Sequence, residues 1–125
     1  MTETVLWTNP NSTTGFSSQS VSIAPYKLND FDYIKIEYQG SINAISGSKS
    51  ILFEPGALLN GDPNAMYPDI VLGAQSSQST EYYARKAYAT AIDATQIYFT
   101  TSAKVGSSSV VNNAIIPIKI YGVKL

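Results

Sequence analysis

Nine carboxylates are the first residues whose chemistry needs weighing: Glu3, Asp30, Asp32, Glu37, Glu54, Asp62, Asp69, Glu81 and Asp93. Two carboxyl groups at the right separation can hydrolyse a glycosidic bond, one as acid and one as base or nucleophile. Most of these acids stand in turn sequences, where Asp is expected for its local hydrogen bonds to the backbone. Asn29, Asp30 and Asp32 make an oxygen-rich stretch that is only faintly like a Ca²⁺ loop, because no further acid follows at a suitable spacing. A solvated turn entering a strand accounts for it. Asn60-Gly61-Asp62 with Asn64 has the same two readings and the same outcome. Gly47-Ser48-Lys49-Ser50 has the closing letters of a phosphate loop, but lacks the glycine five positions earlier and a following helix. The chain has neither His nor Cys. That removes the commonest general base and metal ligand, the Ser-His-Asp triad and all thiol chemistry. The residues predict a protein that is not an enzyme, with no catalytic set, no metal ligands and no cofactor.

The aromatic residues are a better source of binding chemistry. Nine Tyr and one Trp offer rings with an apolar face and a polar tip, suited to stacking on sugars or to a protein interface. Tyr82, Tyr83 and Tyr88 with Arg85 form the densest cluster and are the candidate binding or interface residues. On a strand, Tyr82 and Tyr88 face one side and Tyr83 with Arg85 the other. Two readings follow. Either one set packs the core while the other covers a sheet face or a subunit contact, or the cluster touches a ligand. Trp7 is expected in the core.

Composition sets the frame. At 125 residues the chain is expected to form a single domain, residues 1–125, large enough to bury a core without disulfides. A net charge of −1 with eight basic residues gives no electrostatic footprint for nucleic acid. No apolar run reaches the roughly 20 residues of a membrane span, and MTETVLW lacks the basic and apolar regions of a signal peptide. Charged residues make up 14% of the chain and Ser plus Thr about a fifth, a composition associated with all-β extracellular or virion-surface domains.

The elements that must position these residues are strands. Ile116, Ile118 and Ile120 alternate with Pro117, Lys119 and Tyr121 at the C-terminal end, a period of two that predicts a half-buried strand fed by an Asn112–Asn113 turn. Pro117 has no N–H to give a ladder, so its nitrogen is expected at solvent, a bulge or the start of pairing. Gly122 suggests a bulge or bend. Further strands are predicted over Glu3–Thr8, Phe16–Ile23, Phe31–Gln39, Ile51–Phe53, Ile70–Leu72 and Gln96–Thr101. The stretch Thr80–Ala91 mixes helix formers with a strand alternation and is read as strand, because Ile92–Thr95 then turns into the next one. Leu58–Pro68 is a long loop of the kind that carries function, and Gln75–Ser79 reads as a hairpin tip. About eight short strands with a turn signal about every ten residues predict an all-β antiparallel sandwich, jelly-roll-like.

Three stretches carry a family resemblance: Thr4-Val5-Leu6-Trp7-Thr8-Asn9, Phe31-Asp32-Tyr33-Ile34-Lys35-Ile36, and Asn112-Asn113 with Ile116-Pro117 and Ile120-Tyr121-Gly122-Val123-Lys124. With Arg85 and Gln96-Ile97-Tyr98-Phe99 between them, they resemble, in the same order, a family of C-terminal domains of bacteriophage tail-fibre and minor virion proteins. The resemblance implies a non-enzymatic protein at the virion surface, a homo-oligomer, by analogy a trimer, that contacts other virion proteins or a host surface glycan. Fibre proteins of this kind usually carry an N-terminal shaft, whereas Met1 here directly precedes the opening motif. The expected role is attachment, as a fibre tip or as a head or tail accessory domain; a small stand-alone copy that decorates the capsid and stabilises the head, or plugs into a head or baseplate fibre, is a second reading. A bacterial carbohydrate-binding module is the alternative. No ligand-binding residue is carried over, since the matched residues are packing and turn patterns.

Overall fold

A computed structural model describes residues 1–11, 15–40, 48–59, 69–75, 80–106 and 109–125, with the backbone alone for 69–75 and 80–82. The expected Asn60–Asn64 loop and most of the Gln75–Ser79 tip lie outside these residues. Among the described residues the strands are β1 (Thr2–Thr8), β2 (Gln19–Ser22), β3 (Tyr33–Gln39), β4 (Lys49–Phe53), β5 (Asp69–Gln75), β6 (Thr80–Tyr88), β7 (Gln96–Phe99), β8 (Ala103–Lys104) and β9 (Ile116–Lys124). Short 3₁₀ turns cover Leu28–Asp30 and Pro55–Leu58. The strands form two antiparallel sheets, ordered β1-β9-β3-β4 and β2-β7-β6-β5, with β8 also paired to β6. The protein is an all-β sandwich. The two ends of the chain run beside each other through both sheets, β1 against β9 in one and β2 against β7 in the other. These end pairings are jelly-roll-like, and the middle strands depart from that order. In the middle of the chain, β3 with β4 and β5 with β6 and β7 pair as sequence neighbours within one sheet.

Alternation fixes which residues enter the core. Ile34 and Ile36 are fully buried and Tyr38 nearly so, while Tyr33, Lys35 and Glu37 between them stay half-exposed. Val21 of β2, Ile97 and Phe99 of β7 and Tyr83 and Ala87 of β6 meet them from the second sheet in one cluster. Ile23, Leu28, Leu58 and Ile115 close the cluster from the connections. The segment with mixed helix and strand character is strand from Thr80 to Tyr88. Its period of two places Tyr83, Arg85, Ala87 and Ala89 inside, a pattern a helix would scatter around its axis.

The last strand is central, flanked by β1 and β3. Pro117 sits where the pairing allows it. The register with β3 shifts between Glu37 and Tyr38, which face Lys119 and Pro117, and β1 ends its pairing at Lys119. The proline therefore falls at a bulge and beyond the end of one neighbour. Asn9 staples this point: its backbone N–H donates to the Ile118 carbonyl at 2.7 Å and its side-chain amide to the Pro117 carbonyl at 2.9 Å. A second bulge on β1 skips Leu6 between the Val5–Tyr121 and Trp7–Ile120 pairs. The extra residue lets adjacent side chains both turn inward, so Leu6 is buried and Trp7 packs on the core beside it.

Gly122 departs from expectation. It pairs in regular register with Thr4 and Ile34, so no bulge occurs there. A Cβ at this position would lie 2.5 Å from the ring of Phe31, and the glycine exists to let that ring lie on the strand. Gly122→Ala is expected to lower stability by roughly 1–3 kcal/mol through overpacking. Thermal denaturation checks this, and adding Phe31→Leu should recover part of the loss.

Candidate functional site

The four residues singled out on β6 separate when the strand folds. Tyr83 is 4% exposed and Arg85 is 0% exposed, so both face the interior, out of reach of a ligand or second subunit. Tyr88 is half-buried on the outward face. Tyr82 lies opposite Gly73 in the β5–β6 register, and its side chain is outside the described residues.

Arg85 has a structural task instead. Its Nη1 donates to the carbonyl oxygens of Ile115 at 2.9 Å and Asn112 at 3.4 Å. Its Nη2 donates to those of Phe16 at 2.7 Å and Ser17 at 3.2 Å. The guanidinium also lies 4.2 Å over the Phe16 ring, a cation–π contact that is stronger when desolvated. Phe16 in turn meets Trp7 and Phe99 edge-on, with centroids 6.5 and 6.1 Å away. Burial pushes the guanidinium down to about 10, which leaves it charged at neutral pH. Among the described residues no carboxylate balances it, and backbone carbonyls from two remote loops solvate the charge. Arg85 Nε and Ser102 Oγ are buried without a hydrogen-bond partner among the described residues.

The outward face of the same strand builds a different arrangement. Tyr88 and Tyr98 stand directly opposite each other on β6 and β7, with ring centroids 4.8 Å apart and planes tilted by 46°. They border a recess of 370 Å³ whose other walls include Ser20, Thr90, Asp93 and Gln96. Its rim is held by backbone bonds. Ala89 N–H donates to the Leu58 carbonyl at 2.6 Å, Leu28 N–H to Ala94 at 3.1 Å, Asn29 N–H to Ile92 at 3.0 Å and Ile23 N–H to Thr95 at 2.8 Å. The β6–β7 turn is thereby clamped by three other segments. Sequence reading singled out Tyr88 as a binding candidate but did not join Tyr98, Asp93 or Gln96 to it. The alternation of Ile97 and Phe99 already implies an outward Tyr98, but only the register sets it against Tyr88.

The acids that suggested a cation loop serve the backbone. Asp30 accepts from the Lys27 N–H at 2.8 Å, and Asp32 from the Leu125 N–H at 2.8 Å. Among the described residues, no three acidic side chains converge to hold a metal, and no helix is long and apolar enough to cross a membrane. A second, more open depression of 410 Å³ includes Asp32, Tyr33 and Glu54. The outer face of the other sheet carries a polar network: Lys35 pairs with Glu3 at 2.7 Å, sits 4.5 Å over the Tyr121 ring, and the Tyr121 hydroxyl donates to Glu37 at 3.3 Å. Desolvation, followed by the Glu37 carboxylate, pushes the Tyr121 phenol up. An exposed ion pair of this kind contributes at most about 1 kcal/mol.

No family model, curated protein or solved structure matches the chain.

Proposed function

We propose that this chain is a non-enzymatic surface protein of a bacteriophage virion, working by attachment as a fibre tip or as a head or tail accessory domain. The observation that carries this reading is that the stretches resembling the virion family, remote in sequence, meet in space. The opening Thr4–Asn9 stretch runs along β1 and pairs with the closing strand β9. Phe31–Ile36 leads into β3 on the other side of β9. Arg85 donates to the carbonyls of Asn112 and Ile115 in the closing motif. Phe99 packs 6.1 Å from Trp7. Residues that build one frame together are a signature of the fold, and function then lies on the outward surfaces.

A homo-oligomer, by analogy a trimer, fits the outer face of the first sheet. Val5, Tyr121, Lys35 and Leu52 form one cross-strand row there, and its end members Val5 and Leu52 are 49% and 53% exposed. Light scattering over a range of concentrations is expected to give three times the chain mass, with Leu52→Glu shifting it to the monomer. A wild-type monomer at every concentration would count against the free fibre tip. The alternative, a stand-alone carbohydrate-binding module, is favoured by the Tyr88–Tyr98 recess, which sets two aromatic rings beside polar side chains.

A further inference from the structure

We propose that the recess between Tyr88, Tyr98 and the β6–β7 turn binds one ring of a neutral oligosaccharide. The inference deepens the attachment reading and rests on it for the source of the glycan. A pyranose has two surfaces of unlike character, an apolar C–H face and a rim of hydroxyls. The recess presents a partner for each. The Tyr88–Tyr98 pair supplies a broad aromatic wall, against which C–H groups pack without a charge. Asp93 and Gln96 supply the hydrogen-bonding rim. Among the described residues no hydrogen bond or ion pair engages either side chain, and both are exposed at the edge of the recess. A carboxylate accepts from two vicinal hydroxyls at once, and a primary amide both donates and accepts. Ser20 and Thr90 add hydroxyls on the flanks.

Charge decides between sugar classes. Asp93 is the one charged residue among the described lining. A phosphate, sulfate or uronate would meet a carboxylate and no cation, so the site selects against acidic glycans. The 370 Å³ volume lies in the small-ligand range, which runs from about 300 to 1,000 Å³. That admits one ring and its linkages rather than a folded partner. The clamped turn keeps Asp93 and the tyrosines in place before binding, which reduces the ordering cost of association.

The test uses the whole chain on an array of neutral hexose and N-acetylhexosamine oligosaccharides, with uronic-acid and phosphorylated glycans alongside, followed by calorimetry on the best binder. A neutral oligosaccharide is expected to bind, and Tyr98→Ala and Asp93→Asn should each weaken it by about tenfold, the size of one lost stacking or charge-assisted contact. Asp93→Asn changes an exposed turn residue and is expected to leave the denaturation midpoint unchanged, which separates loss of binding from loss of fold. Binding that both variants leave intact overturns the site. Selective binding of acidic glycans overturns it as well. If labelled protein adsorbs to bacterial cells while no neutral glycan binds, the sugar inference fails and the attachment reading stands. If it does neither, the sugar inference and attachment to the host both fail, and attachment to the particle is left.

Discussion

Arg85→Lys is expected to lower the stability of this protein by roughly 2–4 kcal/mol, and Arg85→Met by roughly 3–5 kcal/mol, because each buried carbonyl left without a donor costs about 1–3 kcal/mol. An ammonium is a point charge and cannot span acceptors on opposite sides as a planar fork does. In the wild type the two Nη atoms reach Phe16 and Ser17 on one side and Asn112 and Ile115 on the other. Lysine can satisfy one side alone. The opposite expectation also has a physical basis, since replacing a buried ion pair with apolar residues is often neutral or stabilising. That result depends on removing both partners. Here the acceptors are main-chain carbonyls, which no side-chain substitution removes, so loss of the donor dominates. Urea denaturation followed by Trp7 fluorescence is the measurement, because Trp7 is the single tryptophan and contacts Phe16 beneath the guanidinium. An Arg85→Met midpoint equal to wild type would remove the keystone role. Losses of this size are a large share of a domain's total stability, about 5–15 kcal/mol.

Gly15→Ala is expected to cost about 3 kcal/mol, at the upper end for overpacking. A Cβ at Gly15 would overlap the Asn112 carbonyl and the Asn113 nitrogen. These are main-chain atoms, so no side-chain rotation relieves the clash, unlike that at Gly122. The only escape is to separate the two loops that Arg85 draws together. The Asn112 carbonyl is also an Arg85 acceptor, and Phe16 is the next residue after Gly15. The two substitutions therefore act on one structure and should be non-additive. A double-mutant cycle of Gly15→Ala with Arg85→Lys is expected to show an interaction of about 1 kcal/mol or more, as for residues sharing one network. Strict additivity would place the glycine in a separate role.

Much of the frame was legible in the sequence. Alternation alone identified β3 and set Ile34, Ile36 and Tyr38 on one of its faces, because strand geometry sends successive side chains to opposite faces regardless of partner. The same rule placed Tyr83 and Arg85 on one side of β6 and Tyr88 on the other. Pro117 announced that its nitrogen falls at solvent, a bulge or the start of pairing, since a missing N–H constrains any ladder that includes it. These are local properties, fixed by the covalent character of each residue and its immediate neighbours.

What the tertiary structure decided was which side of a strand faced in, and what lay opposite. Arg85 in sequence is a charged residue among tyrosines, a natural candidate for the surface. It is interior because two distant loops bring four carbonyls to it, a solvation shell that no local pattern records. Gly122 suggested a bend, and its reason is a ring from Phe31, ninety-one positions earlier in the chain. The Tyr88–Tyr98 recess depends on the β6–β7 register and on a turn clamped from Ile23, Leu28 and Leu58. Sequence thus determined the strands and their two faces through short-range geometry. Burial, register and the recess were decided by long-range packing, where a residue's environment is made by parts of the chain it does not adjoin.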